Sequence, residues 1–268
     1  MTQLSGWALT LGASSGFGEA TSLALARAGL NIFGVHLDRK ATLGNVERIV
    51  SEIKALGREA VFFNVNAADP DKRADVVSQM ERVLEERGDA GTVRVLLHSL
   101  AFGTLKLYVA DPIKEAVSPA QMDMTLDVMA HSLVYWVQEV VGRGLMTRGG
   151  RIYAMTSSGG SRVLPFYGPV SAAKAALESH VRQLAAELAP RVRVNALAVG
   201  AVETSALRPF LTDEIRQRME AMTPMRRIGT VEDVALAALW LCSPAGSWVT
   251  GKVVEVDGGT ESTNWPFD

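Results

Sequence analysis

The chain carries one cysteine, Cys242, so no internal disulfide is available to it. A formal charge of −2 gives it none of the basic footprint of a nucleic-acid binder. Its longest purely apolar run, Val234 to Cys242, is far too short to span a bilayer, and no membrane association is expected. The first ten residues have no basic flank before their apolar stretch, so a secretory signal is not expected either. No repeat and no low-complexity linker interrupts the 268 residues, and no metal-binding cluster is assigned. What remains is 48% hydrophobic and 21% charged, the balance of a cytoplasmic globular domain with a sizeable core, spanning 1–268 without a boundary.

Short β-rich apolar runs alternate with segments of helical period. Strands are predicted at Trp7–Leu11, Asn31–His36, Ala60–Asn64, Val93–His98, Arg151–Ser157, Val192–Ala198 and Lys252–Val256. Helices are predicted near Gly16–Ala28, Thr42–Leu56, Pro70–Arg87, Pro119–Val141, Pro169–Ala189 and Thr230–Leu241, the last opened by the capping box Thr230-Val-Glu-Asp233. Continuous apolar strands are buried on both faces, which makes the sheet parallel. The expectation is an α/β fold: one Rossmann-like doubly wound domain with a seven-stranded parallel sheet between helices. Phe102–Ser118 and Glu203–Arg227 lack clear periodicity, and both follow strands, so both belong over the ligand-binding edge.

Directly after the first strand stands Gly12-Ala-Ser14-Ser15-Gly16-Phe17-Gly18, opening a helix. Glycines there allow a tight turn and bring backbone amides to a pyrophosphate at the helix N-terminus. Further along come Asn64-Val65, Ser157, Lys174, Asn195-Ala-Leu-Ala-Val-Gly200-Ala-Val202-Glu-Thr204 and Val256-Asp-Gly-Gly259. In this order the motifs resemble the short-chain dehydrogenase/reductase family over nearly the whole chain. The resemblance implies that Gly12, Ser14, Ser15, Gly16, Phe17 and Gly18 hold the pyrophosphate side of a nicotinamide dinucleotide, and that Asn64 and Val65 flank its adenine. It also places Ser99, Leu100 and Ala101 beside the cofactor, Val202 and Thr204 on the carboxamide, and Lys174 on the ribose. Where NAD-preferring members carry an aspartate after the second strand, this chain has His36, followed by Leu37-Asp38-Arg39-Lys40. Arg39 and Lys40 attract a 2′-phosphate, so NADPH is the expected cofactor; Asp38 offers a carboxylate to the ribose and keeps NADH open.

Ketone-reducing relatives place a tyrosine four residues before the lysine, and here that position is Val170. The nearest tyrosine is Tyr167, in Tyr167-Gly-Pro-Val-Ser-Ala-Ala-Lys174. Seven residues along a helix rise about 10 Å, against about 6 Å for four. Tyr167 must therefore stand at or before the helix start, which Pro169 supports. This spacing resembles the enoyl-acyl-carrier-protein reductase branch, and so does His98-Ser99 at the end of the fourth strand, where ketone reducers usually have Asn-Asn-Ala-Gly. The smaller part of that branch, with serine where others have a second tyrosine, is the one that Ser157 resembles. The chemistry so implied is hydride delivery to the β-carbon of a trans-2-enoyl thioester, with Tyr167 stabilising the enolate oxygen, Lys174 binding ribose and Ser157 orienting substrate.

Leu207, Phe210, Leu211, Met219, Met222 and Met225 make the stretch near 203–227 a pliable apolar lid over an acyl chain, or alternatively a helix packed on the domain or a neighbour. Arginines 208, 216, 218, 226 and 227 in the same stretch offer a docking face for acyl carrier protein. The resemblance implies a homotetramer in fatty-acid synthesis. Two other readings stay open: a carbonyl or hydroxysteroid-type dehydrogenase, and a catalytically silent dinucleotide-binding regulator.

Overall fold

The computed structural model describes residues 3–204, 207–208 and 211–262. Strand β1 (Trp7–Leu11) leads into helix α1 (Gly16–Arg27), and then follow β2 (Asn31–His36), α2 (Leu43–Ala55), β3 (Ala60–Asn64), α3 (Pro70–Glu86) and β4 (Val93–His98). The second half holds α4 (Pro119–Leu126), α5 (Ser132–Gly142), β5 (Gly150–Ser157), α6 (Gly168–Leu188), β6 (Val192–Val199), α7 (Asp213–Met222), α8 (Val231–Cys242) and β7 (Val253–Val256). All seven strands run parallel, in the order β3-β2-β1-β4-β5-β6-β7. The order reverses between β1 and β4, and a doubly wound sheet opens its ligand crevice beyond the carboxyl ends at such a point.

Parallel strands need crossovers, and the helices that supply them bury both sheet faces. One core lies between the sheet and α3, α5 and α6, with Trp7, Phe33, Trp136 and Leu177 at its centre. The other lies under α1, α2 and α8, around Leu25, Ile32, Ile53, Leu97 and Leu241. The central strands are buried almost throughout, as their apolar runs require. The edge strand β7 instead alternates between exposed and half-buried residues, the period expected where only one side is covered. Cys242 is buried, with its Sγ 3.4 Å from the Tyr153 hydroxyl, and burial pushes the thiol pKa up; it is a structural residue. The Thr230–Asp233 capping box forms as expected.

Two elements depart from the sequence reading. The helix expected over Pro119–Val141 is interrupted by a π turn at Asp127–His131. Ser132 Oγ donates to the Val128 carbonyl at 2.8 Å and, its proton so committed, accepts from His98 Nε2 at 2.8 Å. That side chain competes with the backbone for the carbonyl and widens the turn. The second is α7, inside the stretch that showed no period. Its apolar stripe, Ile215, Met219 and Met222, is short and none of it is fully buried, and Thr212, whose hydroxyl accepts from Ile215 N, starts it. No described helix is long and apolar enough to cross a membrane.

Candidate active site

The turn after β1 is built for close approach of a ligand. Gly12 has φ +86°, and a Cβ there would lie 2.5 Å from the Ser99 carbonyl oxygen. A Cβ on Gly18 would meet the Gly12 oxygen at 1.9 Å, so only glycine lets α1 start this close to the strand. Nothing stands within 4 Å of a Cβ on Gly16, which leaves its backbone facing open space. Ser15 caps α1 without a side-chain hydrogen bond, so the first-turn amides stay available to an anion. Asn45 secures the turn from behind, Nδ2 donating to Ser14 O at 2.7 Å.

A cleft of about 740 Å³ opens over this turn. Of the residues expected at the cofactor, Gly12, Ser14, Ser15, Gly16, Phe17, Arg39, Val65, Ser99, Leu100, Ala101 and Thr204 all line it. Gly18 lies behind the turn. Val202 is buried and bridged to Gly229, one step behind Thr204. Asn64, expected beside the adenine, is set back from the lining: its Oδ1 accepts from Asp38 N at 2.9 Å and its Nδ2 donates to Asp38 O at 3.0 Å. Asn64 thus clamps the segment after β2, and Asn66 takes the place on the wall.

That clamp presents Asp38 and Arg39 to the same end of the cleft. Burial alone would raise the Asp38 carboxyl, but hydrogen bonds from Thr42, Ser14 and His36 outweigh it and hold the group below its ordinary range. One oxygen lies 2.9 Å from His36 Nδ1. The carboxylate is therefore ionised and much of its accepting capacity is spent within the protein.

Beside the cleft the second half of the sheet brings the reactive side chains together. Tyr167 is the N-cap of α6, ahead of Pro169 as the spacing requires, and Val170 behind it is buried. The Tyr167 hydroxyl lies 3.3 Å from Ser157 Oγ at the end of β5. Gly159 makes room for the ring, since a Cβ on it would fall 2.3 Å from Tyr167 Cε1. Lys174, two turns further along α6, is buried, and its Nζ donates to Met155 O at 2.6 Å. Burial lowers its pKa to about 8 and the Glu178 carboxylate partly opposes the shift, so the ammonium persists at neutral pH. Glu178 is held in turn by the Thr156 hydroxyl at 2.7 Å. His98 is wholly buried; burial first and the Lys174 charge second lower its pKa to about 3, so it is neutral and faces Ser132.

The cleft wall also includes Phe102, from the segment expected over the ligand-binding edge, and Leu37, Asn66, Ala67, Met124 and Val128, which the sequence reading did not place there. Phe102 is 69% exposed and continues into exposed Leu105, Tyr108, Val109 and Ile113, while Val163 and Phe166 stand exposed just before Tyr167. The Tyr108 ring rests against Gly168, whose Cβ would lie 2.7 Å from its Cζ. In the 203–227 stretch Met222 and Met225 are exposed, Leu207, Leu211 and Met219 half-buried, and Phe210 lies outside the described residues. Its arginines are largely engaged: Arg208 and Arg216 with Glu203, Arg227 with Asp233, and Arg226 with the Ala221 carbonyl.

A family model described as Enoyl-(Acyl carrier protein) reductase matches residues 12–261. The 7alpha-hydroxysteroid dehydrogenase of Escherichia coli K12 is 32% identical over 258 residues, covering 94% of this chain and 92% of that one. The 1-cyclohexenylcarbonyl-CoA reductase of Streptomyces collinus is 30% identical over 263 residues, covering 97% and 88%. A short chain dehydrogenase from Burkholderia cenocepacia, solved with NADP, superposes with a TM-score of 0.80 at 26% identity, over 96% and 98% of the two chains. A 7 alpha-hydroxysteroid dehydrogenase solved with NADH and a 7-oxo bile acid gives 0.81 at 28%, over 96% and 94%.

Proposed function

The chain belongs to the short-chain dehydrogenase/reductase family of NAD(P)-dependent oxidoreductases, and within it we propose that this protein reduces trans-2-enoyl thioesters with NADPH as the preferred donor. One observation carries the reading: the phenol next to Ser157 comes from Tyr167, ahead of α6, while the position a turn closer to Lys174 is the buried apolar Val170. A donor set back along the helix axis suits an acceptor oxygen displaced from the carbon that takes the hydride. In a conjugated thioester the hydride goes to the β-carbon and charge collects three bonds away, on the carbonyl oxygen. The name of the Streptomyces relative, a reductase of an unsaturated acyl-CoA, agrees with this.

The cradle around Gly12 to Gly18 and the uncapped amides of α1 fit a dinucleotide pyrophosphate. A bound nicotinamide supplies the hydride. Tyr167 donates to the developing enolate oxygen, an interaction stronger in the transition state than in the ground state and therefore one that speeds the reaction. Ser157, within reach of the same phenol, orients the thioester carbonyl. Lys174 keeps a positive charge beneath both and binds ribose hydroxyls. Arg39 supplies the charge for a 2′-phosphate and is opposed by the ionised Asp38 at the same end of the cleft, one of whose oxygens is taken up by His36. The exposed apolar residues from Phe102 to Ile113, with Met222 and Met225, cover the acyl chain as the lid near 203–227 and its opposite rim. Fatty-acid synthesis, with acyl carrier protein as the delivering partner, is the process this activity would serve; Arg218 is the arginine of the stretch left for a carrier's acidic face.

Carbonyl reduction is the second reading, carried by the Ser157–Tyr167 contact itself, because a hydroxyl pair is what a ketone oxygen needs, and by the hydroxysteroid dehydrogenase at 32% identity. Loss of nicotinamide absorbance with crotonyl and acetoacetyl thioesters, each with NADPH and with NADH, separates the two. Turnover of crotonyl thioester, faster with NADPH, is expected; turnover of the ketone alone would reject the proposal.

A further inference from the structure

At the far end of the sheet from the cleft, three arginines gather at the amino ends of neighbouring strands. Arg151 of β5 is the register partner of Arg193 of β6, so the two guanidinium groups leave the same face side by side. Arg94 of β4 precedes Val95, the partner of Arg151 on the other side. Like charges directly opposite in a sheet are destabilising. Burial first and the Arg151 charge second lower the pKa of Arg193.

The local protein does little to answer this charge. Among the described residues, no ion pair includes Arg94, Arg151 or Arg193. Their recorded bonds go to main-chain carbonyls, Arg151 to Gly149 and Arg94 to Arg148, the latter at 3.4 Å. Arg151 Nε and Arg193 Nη2 are buried with no hydrogen-bond partner. A buried guanidinium N–H without an acceptor is costly, and two in one place call for an explanation. A cavity of about 180 Å³ lies against Arg151, lined also by Gln3, Ser5, Arg94 and Cys242, with Arg193 next to Arg151 in register but outside the lining.

We propose that this cavity is an anion site that takes a free tetrahedral oxyanion, phosphate or sulfate, remote from the cofactor cleft. The donor set fits such an ion: planar guanidinium forks that match tetrahedral oxygens in pairs, a hydroxyl from Ser5 and an amide from Gln3. The volume holds one such ion with a few waters. Binding relieves the repulsion between Arg151 and Arg193, so the ion stabilises the native state and acts on stability rather than on turnover.

Thermal melting of the full chain in sodium phosphate, sodium sulfate and sodium chloride at matched ionic strength tests this. Phosphate and sulfate are expected to raise Tm saturably, by about 2–3 °C at ten times the half-saturating concentration. Arg151→Met is expected to abolish the rise while melting no lower than wild type without the anion, because it removes one of two apposed charges. Should that variant fail to fold, Ser5→Ala and Arg94→Met each weaken half-saturation at least about threefold. An equal rise in chloride, or a rise that survives Arg151→Met because phosphate sits at the α1 N-terminus instead, would overturn the proposal. So would a wild-type chain indifferent to phosphate whose sedimentation shows that Arg151→Met breaks an oligomer, for then the arginines answer a carboxylate of a second copy.

Discussion

The two walls of the cleft are made of different material. The cofactor wall is main chain: the Gly12 turn, the open amides of α1, and the segment after β2 clamped by Asn64. The rim proposed for substrate is side chain: Phe102 lines the cleft, and Tyr108, Val109, Val163 and Phe166 stand exposed in the segments that flank Tyr167 and follow Phe102, all more than half exposed, with Val163 at 99%. A backbone wall fixes one ligand geometry, and a single added Cβ ruins it. An apolar side-chain wall gains from any acyl surface laid on it, so its changes alter which substrate is taken rather than whether reaction occurs. Tyr167 stands beside the cleft, its ring seated against Gly159 after β5.

Substitutions can break this contrast, beginning where the effect is greatest. Gly159→Ala forces the Tyr167 ring from its seat, since the new methyl would lie 2.3 Å from Cε1. A displacement near 1 Å at a reacting group costs on the order of 10²-fold in rate. The expected result is a fall of that order in kcat on crotonyl thioester with the cofactor Kd unchanged by fluorescence titration; a parallel loss of cofactor binding would mean that the glycine serves the fold alone. Arg39→Ala removes a charge-assisted contact, and the NADPH-to-NADH ratio of kcat/KM should fall about tenfold. Were the ratio to hold, the 2′-phosphate would have another partner. On the other wall, Phe102→Ser should raise KM for a long-chain enoyl thioester about fivefold relative to crotonyl, with kcat on crotonyl preserved. Equal effects on both substrates would erase the distinction between the walls.

The smallest effect concerns stability. His98 has a folded pKa of about 3 against an ordinary 6.5, because burial and the Lys174 charge disfavour its imidazolium. The unfolded chain therefore binds the extra proton first as pH falls below 6.5, and native stability is lost in that direction down to about 3. Between pH 6.5 and pH 5 the loss from this one group approaches about 2 kcal/mol. Urea midpoints of wild type and His98→Asn should differ most at pH 7 and converge towards pH 5, and a constant difference would remove the histidine from the acid response.

The backbone wall was legible in the sequence because its constraints are local. Strands β1, β2, β3 and β4 fall on the residues where apolar β-rich runs predict them, and Gly12, Gly16 and Gly18 mark a turn that admits no side chain. Tyr167 ahead of α6 followed from a spacing and a proline. What escaped depends on partners distant in sequence. The bonds by which Asn64 clamps Asp38, 26 residues away, have no local signature. Helix α7 has no fully buried residue, and its short stripe of Ile215, Met219 and Met222 lies in an otherwise polar segment. The π turn at Asp127–His131 goes with a Ser132 hydroxyl that donates to the Val128 carbonyl and is met by His98, 34 positions away. The arginine pair on β5 and β6 emerges only from register.

The account rests most heavily on the Tyr167 phenol as the donor to the oxygen that becomes anionic. Single-turnover hydride transfer to crotonyl thioester, followed by stopped-flow absorbance in wild type and Tyr167→Phe at saturating NADPH, addresses it directly. Loss of one such donor should slow the chemical step about 10²–10³-fold while the cofactor binds as before. A Tyr167→Phe rate within about twofold of wild type would place the donor elsewhere and contradict the account.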